Sequence, residues 1–463
     1  MSSDIRSETR TERRRGRGRR RSRSAGPPID PAAWRRLAAC TAAAIVLQID
    51  GTLITVALPR AGHALAIGAH AQGLVLGIYF LAYALTLWPG GRLVDAVGSR
   101  NVAVVGLTIF GLGALLGALA GSAGVLVASR VIQGAGAGLV SPAALAGAVA
   151  GFPPERRGTA LGIWGAGSGM ANLAGPLLGG ALTVLLGWRA NWWALVPLAT
   201  ISAIWIWRLT PPGLAVHGTA NAPDSTANAP DSTADGAGDA GRRQRLVRSP
   251  VIAAATLVAA LTFAVMIGTF FIAEQYLQNA VGYSPLGAAA ALILVALLVG
   301  LAAPLAGKLA DARGERLPVA IGFGCAGAAL AVLGIPGVPL HGLVSLPLLL
   351  PVGVGLGLLF APTSRAALNA VPGASHGRVS ALLSAGRLIG AGIGAAVAGV
   401  ALDGGITAAH VHDALLGAAG LCLLVGMPAA SRLVASHSAG AATGGSADDP
   451  ANPARLPRSA ATS

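Results

Sequence analysis

Lysine is almost absent from this 463-residue chain, occurring only at Lys308, and charged residues of every kind make up 11% of it. A soluble domain carries roughly 25% charged residues, so this chain cannot clothe a globular surface with hydrated side chains. Aromatic residues are scarce at 4%, and there are three cysteines. Cys40, Cys325 and Cys422 lie scattered in apolar runs. That pattern excludes a disulfide framework and a zinc site, both of which need clustered ligands; the thiols read as core packing. Enzyme signatures are missing as well: no His-Glu-x-x-His, no Gly-Lys-Ser/Thr phosphate loop and no Gly-x-Ser-x-Gly elbow occurs. The GAGAG at Gly134 to Gly138 follows no strand and lies inside an apolar run, so it is not a nucleotide loop. His410 and His412 stand two apart without further ligands, too few for a metal site.

What the chain has is length and apolarity: 54% hydrophobic residues, 66 glycines and a mean hydropathy of +0.67. A bilayer core about 30 Å thick is spanned by about 20 apolar helical residues. Twelve runs of that kind emerge. Six lie near Leu37 to Leu58, Gln72 to Gly90, Val102 to Ala120, Gly124 to Ala150, Gly158 to Leu182 and Ala190 to Arg208. Six more lie near Pro250 to Tyr276, Leu286 to Ala306, Leu317 to Pro336, His341 to Pro362, Ser380 to Leu402 and Val411 to Ala430. The expected organisation is an Arg-rich tail (1–36), a six-helix bundle (37–209), a polar linker (210–249), a second bundle (250–430) and a polar tail (431–463). The linker holds the tandem repeat ANAPDST at Ala220 to Thr226 and Ala227 to Thr233, a composition that buries no core and predicts disorder.

Net charge is +15, and the first 36 residues contribute 12 Arg against 4 acids, so more than half the excess sits in one tail. Twelve spans put both ends on one side. The loops of that side hold Arg92, Arg100, Arg156, Arg157, Arg208, Arg242, Arg243, Arg245, Arg248, Lys308, Arg313, Arg316, Arg365 and Arg378, against Arg60 and Arg189 opposite. That asymmetry predicts a cell-membrane protein with both termini and the linker in the cytoplasm. The first run is too long for the h-region of a cleaved signal peptide. The run RRRGRGRRRSRS from Arg13 to Ser24 lacks the interleaved aromatics that stack on bases. It reads as a topogenic tail near anionic headgroups, and no nucleic-acid partner is expected.

The loop after the second run, GRLVDAVGSR, recurs after the eighth as GKLADARGER. Gly91/Gly307, Asp95/Asp311, Gly98/Gly314 and Arg100/Arg316 align, which is what duplication of a six-span unit leaves. The glycines permit a tight reversal, and each Asp is expected to accept from a neighbouring helix N-terminus and latch the cytoplasmic side. This Gly-x-Leu-x-Asp-x-x-Gly-x-Arg loop resembles the signature of the major facilitator superfamily. Leu126, Arg130, Gln133, Gly134 and Gly138 in the fourth run are similar to that family's motif with a buried Arg. Gly162, Gly165, Gly169, Gly175, Pro176, Gly179 and Gly180 in the fifth are similar to its drug/proton antiporter motif. QIDGTLITVALP, Gln48 to Pro59, is similar to the first-helix motif of the family's fourteen-helix drug exporters, with Thr55 at the usual Asn. Ala96 and Ser99 stand where the loop motif usually has basic residues.

The resemblance implies an all-α membrane fold of twelve helices in two pseudosymmetric bundles, with alternating access to a central cavity. It further implies export of lipophilic, cationic compounds in exchange for protons by a monomer, with the proton as coupling ion and no other cofactor. Uptake of a small metabolite, or a non-transporting sensor, remain the alternatives. The residues themselves point to three sites. Asp50, Arg130 and Glu274 lie inside apolar runs, where each charge costs roughly 2.5–3.5 kcal/mol and is expected to face a cavity. A carboxyl group that Arg130 approaches is expected to load and release a proton as its surroundings change; a fixed Asp50–Arg130 pair is the alternative. Glu274 lies near the outer end of its run, where hydration is the alternative, with Tyr276, Gln278 and Asn279 placed to line an outer mouth. Arg387 reads as snorkelling to a helix start. Gly165, Gly169, Gly175 and Gly179 at four-residue spacing, with Pro176, predict close helix packing and a hinge. Gly386, Gly390 and Gly394 read as plain packing.

Overall fold

The computed structural model describes residues 30–153, 156–211, 249–342, 346–371 and 376–433. Residues 1–29 of the Arg-rich tail, most of the linker and nearly all of the C-terminal tail lie outside the described residues, while 31–36, assigned to that tail, form the first turns of a helix. Among the described residues, twelve helices are long and apolar enough to cross a membrane. The first six are α1 (Pro31–Leu65), α2 (Ala69–Val97), α3 (Ser99–Ala118), α4 (Ala123–Val149), α5 (Arg157–Leu186) and α6 (Ala190–Leu209). The second six are α7 (Pro250–Asn279), α8 (Pro285–Arg313), α9 (Arg316–Leu333), α10 (Leu346–Asn369), α11 (His376–Ala401) and α12 (Ala408–Ser431). The tenth starts later than its apolar run suggests and extends past Pro362 to Asn369. The twelfth carries a π-helical turn over Leu421–Gly426, a local widening rather than a break.

Local chemistry sets the ends. Asp30 caps α1 by accepting from Ala32 N at 2.8 Å, ahead of Pro31, and Ser284 caps α8 ahead of Pro285. Gly98 and Gly314 end α2 and α8 with φ of +85° and +80°, a region that an L side chain rarely adopts, so both copies of the loop reverse on the same glycine.

The duplication extends to packing. On α4, Gly134 and Gly138 face α2 at Tyr79 and Tyr83, while Gly136, on the opposite side, faces α3 at Gly106 and Phe110. On α10, Gly353 and Gly357 face α8 at Val295 and Val299, while Gly355 faces α9 at Gly322 and Ala326. A Cβ on Gly136 would lie 2.6 Å from Gly106 O, and one on Gly355 would lie 2.6 Å from Gly322 O. Neither helix accepts a side chain there, so alternate glycines let one helix seat between two others.

The halves meet at one end only among the described residues. Gly73 and Gly77 of α2 cross Gly392, Ala395 and Gly399 of α11, and Gly180 of α5 abuts Leu286 of α8. The α2 face that makes this crossing continues through Leu85 and Trp88, which are 77% and 51% exposed. The bundles are thus closed at the end holding the α1–α2 and α7–α8 turns, and splayed at the end holding both repeated loops.

Candidate functional site

In the first bundle the sequence buries a complete ionic cluster. Asp50 of α1 and Arg130 of α4 are both 0% exposed. Arg130 Nη1 donates to both carboxylate oxygens, at 2.8 and 2.9 Å, and to Gln133 Oε1 at 2.9 Å. Gln133, three residues along the same helical face, donates back to Asp50 Oδ1 at 3.4 Å. The guanidinium lies 4.0 Å from the ring centre of Tyr79, whose hydroxyl donates to Leu47 O at 3.4 Å. Gly134 brings α4 against α2 beside that ring, so the glycine that packs the helices also seats the arginine. Arg130 Nε and Nη2 are buried with no hydrogen-bond partner. Leu349 stands where α10 aligns with Arg130 through the glycine repeat, so this charge pair belongs to one half alone.

Arg130 therefore meets Asp50 and not Glu274. Glu274 is 2% exposed, so the hydrated alternative is not what the fold provides. Its Oε2 accepts from Gln278 Nε2 at 2.9 Å, and the same amide donates to Val56 O of α1 at 3.0 Å. Around it runs a chain of amides across the closed end. Gln275 donates to Gln72, Asn279 donates to Gln275 at 2.7 Å, and His63 Nε2 lies 2.8 Å from Asn279 Oδ1. Gln278 and Asn279 thus join the halves, whereas Tyr276 faces a cavity within the second bundle. Gln72, Gln275 and His63 carry no fixed charge and escape a sequence reading built on intramembrane charge; neutral polar side chains at the edges of apolar runs are the available signal.

The α5 glycines divide into two sets. Gly175 packs against Thr52 of α1, and a Cβ on Gly179 would lie 2.6 Å from Leu53 O. Gly162, Gly165 and Gly169 face open space, with no atom within 4 Å of where a Cβ would stand. Close packing is therefore absent at Gly165 and Gly169, because they lie on the splayed side, while Pro176 sits within the packed set, between Gly175 and Gly179. Gly386, Gly390 and Gly394 pack within the second bundle, against Thr256, Ala260 and Ala264 of α7.

The repeated loops differ in their ion pairs. Asp311 pairs with Arg365 at the end of α10, and Arg365 Nε also lies 3.1 Å from Glu315 Oε1, which accepts from Asn369 at 3.2 Å. Asp95 is exposed and makes no ion pair or hydrogen bond among the described residues, while Arg100 stacks 4.9 Å from the Trp207 ring. Neither aspartate accepts from a neighbouring helix N-terminus as expected, since the splayed bundles leave no such helix within reach. Gly91 and Gly307 likewise touch nothing across the gap, and Arg316 is exposed. Arg387 does not snorkel: its Nη2 donates to Ser364 Oγ at 2.7 Å, within 6.0 Å of the Phe263 and Phe360 rings. His410 Nδ1 lies 2.7 Å from Gly405 O and the buried His412 Nδ1 2.8 Å from Leu333 O, so the two histidines serve different backbone sites.

The model of the family described as Major Facilitator Superfamily matches residues 40–395. The chain is 38% identical over 182 residues to an uncharacterized MFS-type transporter of Mycobacterium tuberculosis, an alignment spanning 39% of this chain and 31% of that one. It is 29% identical over 426 residues to the puromycin resistance protein pur8 of Streptomyces alboniger, covering 83% of this chain and 84% of the relative. In fold it is similar to the crystal structure of a bacterial homologue of the human lysosomal transporter Spinster in an inward-facing, occupied conformation. That likeness has a TM-score of 0.72 at 18% identity, over 88% of this chain and 97% of the other.

Proposed function

Because the chain belongs to the major facilitator superfamily, and is therefore a multi-pass membrane transporter and not an enzyme, we propose that it exports lipophilic compounds, cations among them, in exchange for protons. The observation that carries this reading is the fully buried Asp50–Arg130 pair with two arginine donors left over. Such a pair balances a large desolvation cost, and removing the negative charge leaves the cation uncompensated. Protonation of Asp50 does this reversibly. Its consequence has a mechanical route: Thr52 and Leu53, next on α1, sit in the Gly175 and Gly179 notch of α5, and Gly180 of α5 abuts α8. A shift of α1 is thereby passed to a contact between the halves. The arginine-rich loops favour a cytoplasmic position for the splayed end, so this conformation is open to cargo from inside. Similarity to a puromycin resistance protein favours export over uptake.

Everted membrane vesicles containing the protein test the reading with a lipophilic cationic dye. Dye accumulation is expected to collapse when the pH gradient is dissipated at constant membrane potential. Asp50→Asn is expected to abolish that dependence in protein that remains monodisperse, and Asp50→Glu to restore part of it. Flux indifferent to the gradient, or an Asp50→Asn form that behaves as wild type, overturns the proton-coupled mechanism.

A further inference from the structure

The membrane-facing side of the first bundle carries a groove between α3 and α6 that the transport mechanism does not use. Its volume is about 400 Å³. We propose that it holds an acyl chain of a phospholipid with an anionic headgroup, whose phosphate lies against Arg100 and Arg208.

The wall on α3 is formed by Val104, Thr108, Gly111 and Leu115, residues three or four apart and so on one helical face. From Val104 to Leu115 the helix rises roughly 16 Å, close to half of the ~30 Å hydrocarbon core. The groove is therefore as long as one leaflet's acyl layer is deep. Its walls offer almost no hydrogen-bonding capacity. Thr108 and Thr200, the hydroxyl-bearing residues on the two sides, donate to Val104 O at 2.9 Å and Val196 O at 2.8 Å of their own helices. Their hydroxyl protons are thereby spent on their own helices, which suits a hydrocarbon chain and not a polar ligand.

One end differs. Trp207 closes the groove there, 56% exposed, and the Arg100 guanidinium lies 4.9 Å from its ring. Arg100 Nε is buried with no hydrogen-bond partner, and Arg100 makes no ion pair among the described residues. Arg208 follows in the last turn of α6, exposed. Tryptophan and arginine at a helix end mark the headgroup level. An apolar slot one leaflet deep, with two cations at its mouth, complements an anionic amphiphile. A helix from a second copy of the chain would fill the slot but leave the two cations without a counter-charge.

Native mass spectrometry of delipidated protein, titrated with phosphatidylglycerol or phosphatidylcholine, decides the matter. One phosphatidylglycerol is expected to remain bound under activation that strips phosphatidylcholine. Each of Arg100→Gln and Arg208→Gln should weaken it about fivefold. Gly111→Leu plugs the groove from a position where a Cβ would stand at an ordinary 3.6 Å from Ala199 Cβ, and should cut retention at least tenfold. The melting temperature of each lipid-free variant is measured alongside, and the rise that phosphatidylglycerol gives the wild type should vanish in Gly111→Leu. Equal retention of the two lipids, retention unchanged in both Arg100→Gln and Gly111→Leu, or a dimer that Gly111→Leu dissolves would each overturn the proposal. Because the two variants act at different places along the groove, the other still carries the test should one fail to fold.

Discussion

Gly77 offers the sharpest test of which contacts hold the closed end. A Cβ at Gly77 would lie 2.6 Å from Gly392 O of α11, whereas an ordinary Cβ contact is 3.4–4 Å. Gly77→Ala therefore forces α2 and α11 roughly 1 Å apart or strains them, an overpacking cost of about 1–3 kcal/mol. That cost falls only on the state in which this crossing exists. Since about 1.4 kcal/mol is a factor of ten in population, the equilibrium should move toward opening of that end by about 5- to 150-fold. Spin labels at Ala64→Cys and Ala280→Cys, both exposed positions at the closed end on opposite halves, report it by pulsed electron resonance. The background replaces Cys40, Cys325 and Cys422 by Ala. Gly136→Ala is the control: its clash, 2.6 Å from Gly106 O, lies within one bundle and strains every state. It should lower the melting temperature without changing the label distances, while Gly77→Ala changes the distances and moves melting little. If both variants lower melting alike and neither alters the distances, the crossing is ordinary packing and not a gate.

Four other outcomes follow from the same geometry. Asp50→Asn should destabilise the detergent-solubilised protein by about 3–5 kcal/mol by stranding Arg130, and adding Arg130→Met should recover much of the loss; denaturant titration of the three variants checks it. At the splayed end, Arg365→Ala should lower the melting temperature more than Asp311→Asn. Asp311 is 71% exposed, so its pair is worth under about 1 kcal/mol, while Glu315 is 6% exposed and loses its cation. Gly169→Ala meets nothing in this conformation and should keep its melting temperature, whereas Gly179→Ala should lower it; a transport defect in the first without a melting defect places Gly169 at a contact of the opposite state. Gln275→Leu removes the amide that joins Gln72 to Asn279 and should widen the Ala64–Ala280 label distance.

How far the sequence reveals this molecule depends on the range of the interaction. Helix count and pairing of the halves follow from hydropathy runs and the repeated loop, because both are local along the chain. The Asp50–Arg130 cluster is half legible: each charge has to face something, and burial in hydrocarbon makes a partner mandatory, but nothing in the spacing of residues 80 apart says that Glu274 is excluded. The second Gly-x-Gly-x-Gly run, Gly353 to Gly357, stands in the sequence at the place that matches Gly134 to Gly138, and duplication sought in the loops alone passes over it. The glycines of α5 show where sequence reading stops. Four-residue spacing says that helices can approach, yet the same spacing serves a packed notch at Gly175 and Gly179 and an open wall at Gly165 and Gly169. A transporter must pack each face in one state and release it in the other, so a motif shared by both sets cannot tell which is engaged. The amides of the closed end have the same logic: Gln72, Gln275 and Asn279 bind firmly enough to seal yet carry no charge whose exposure to hydrocarbon would make opening prohibitive. That is why a closed end joined by them leaves no trace in a search for charge.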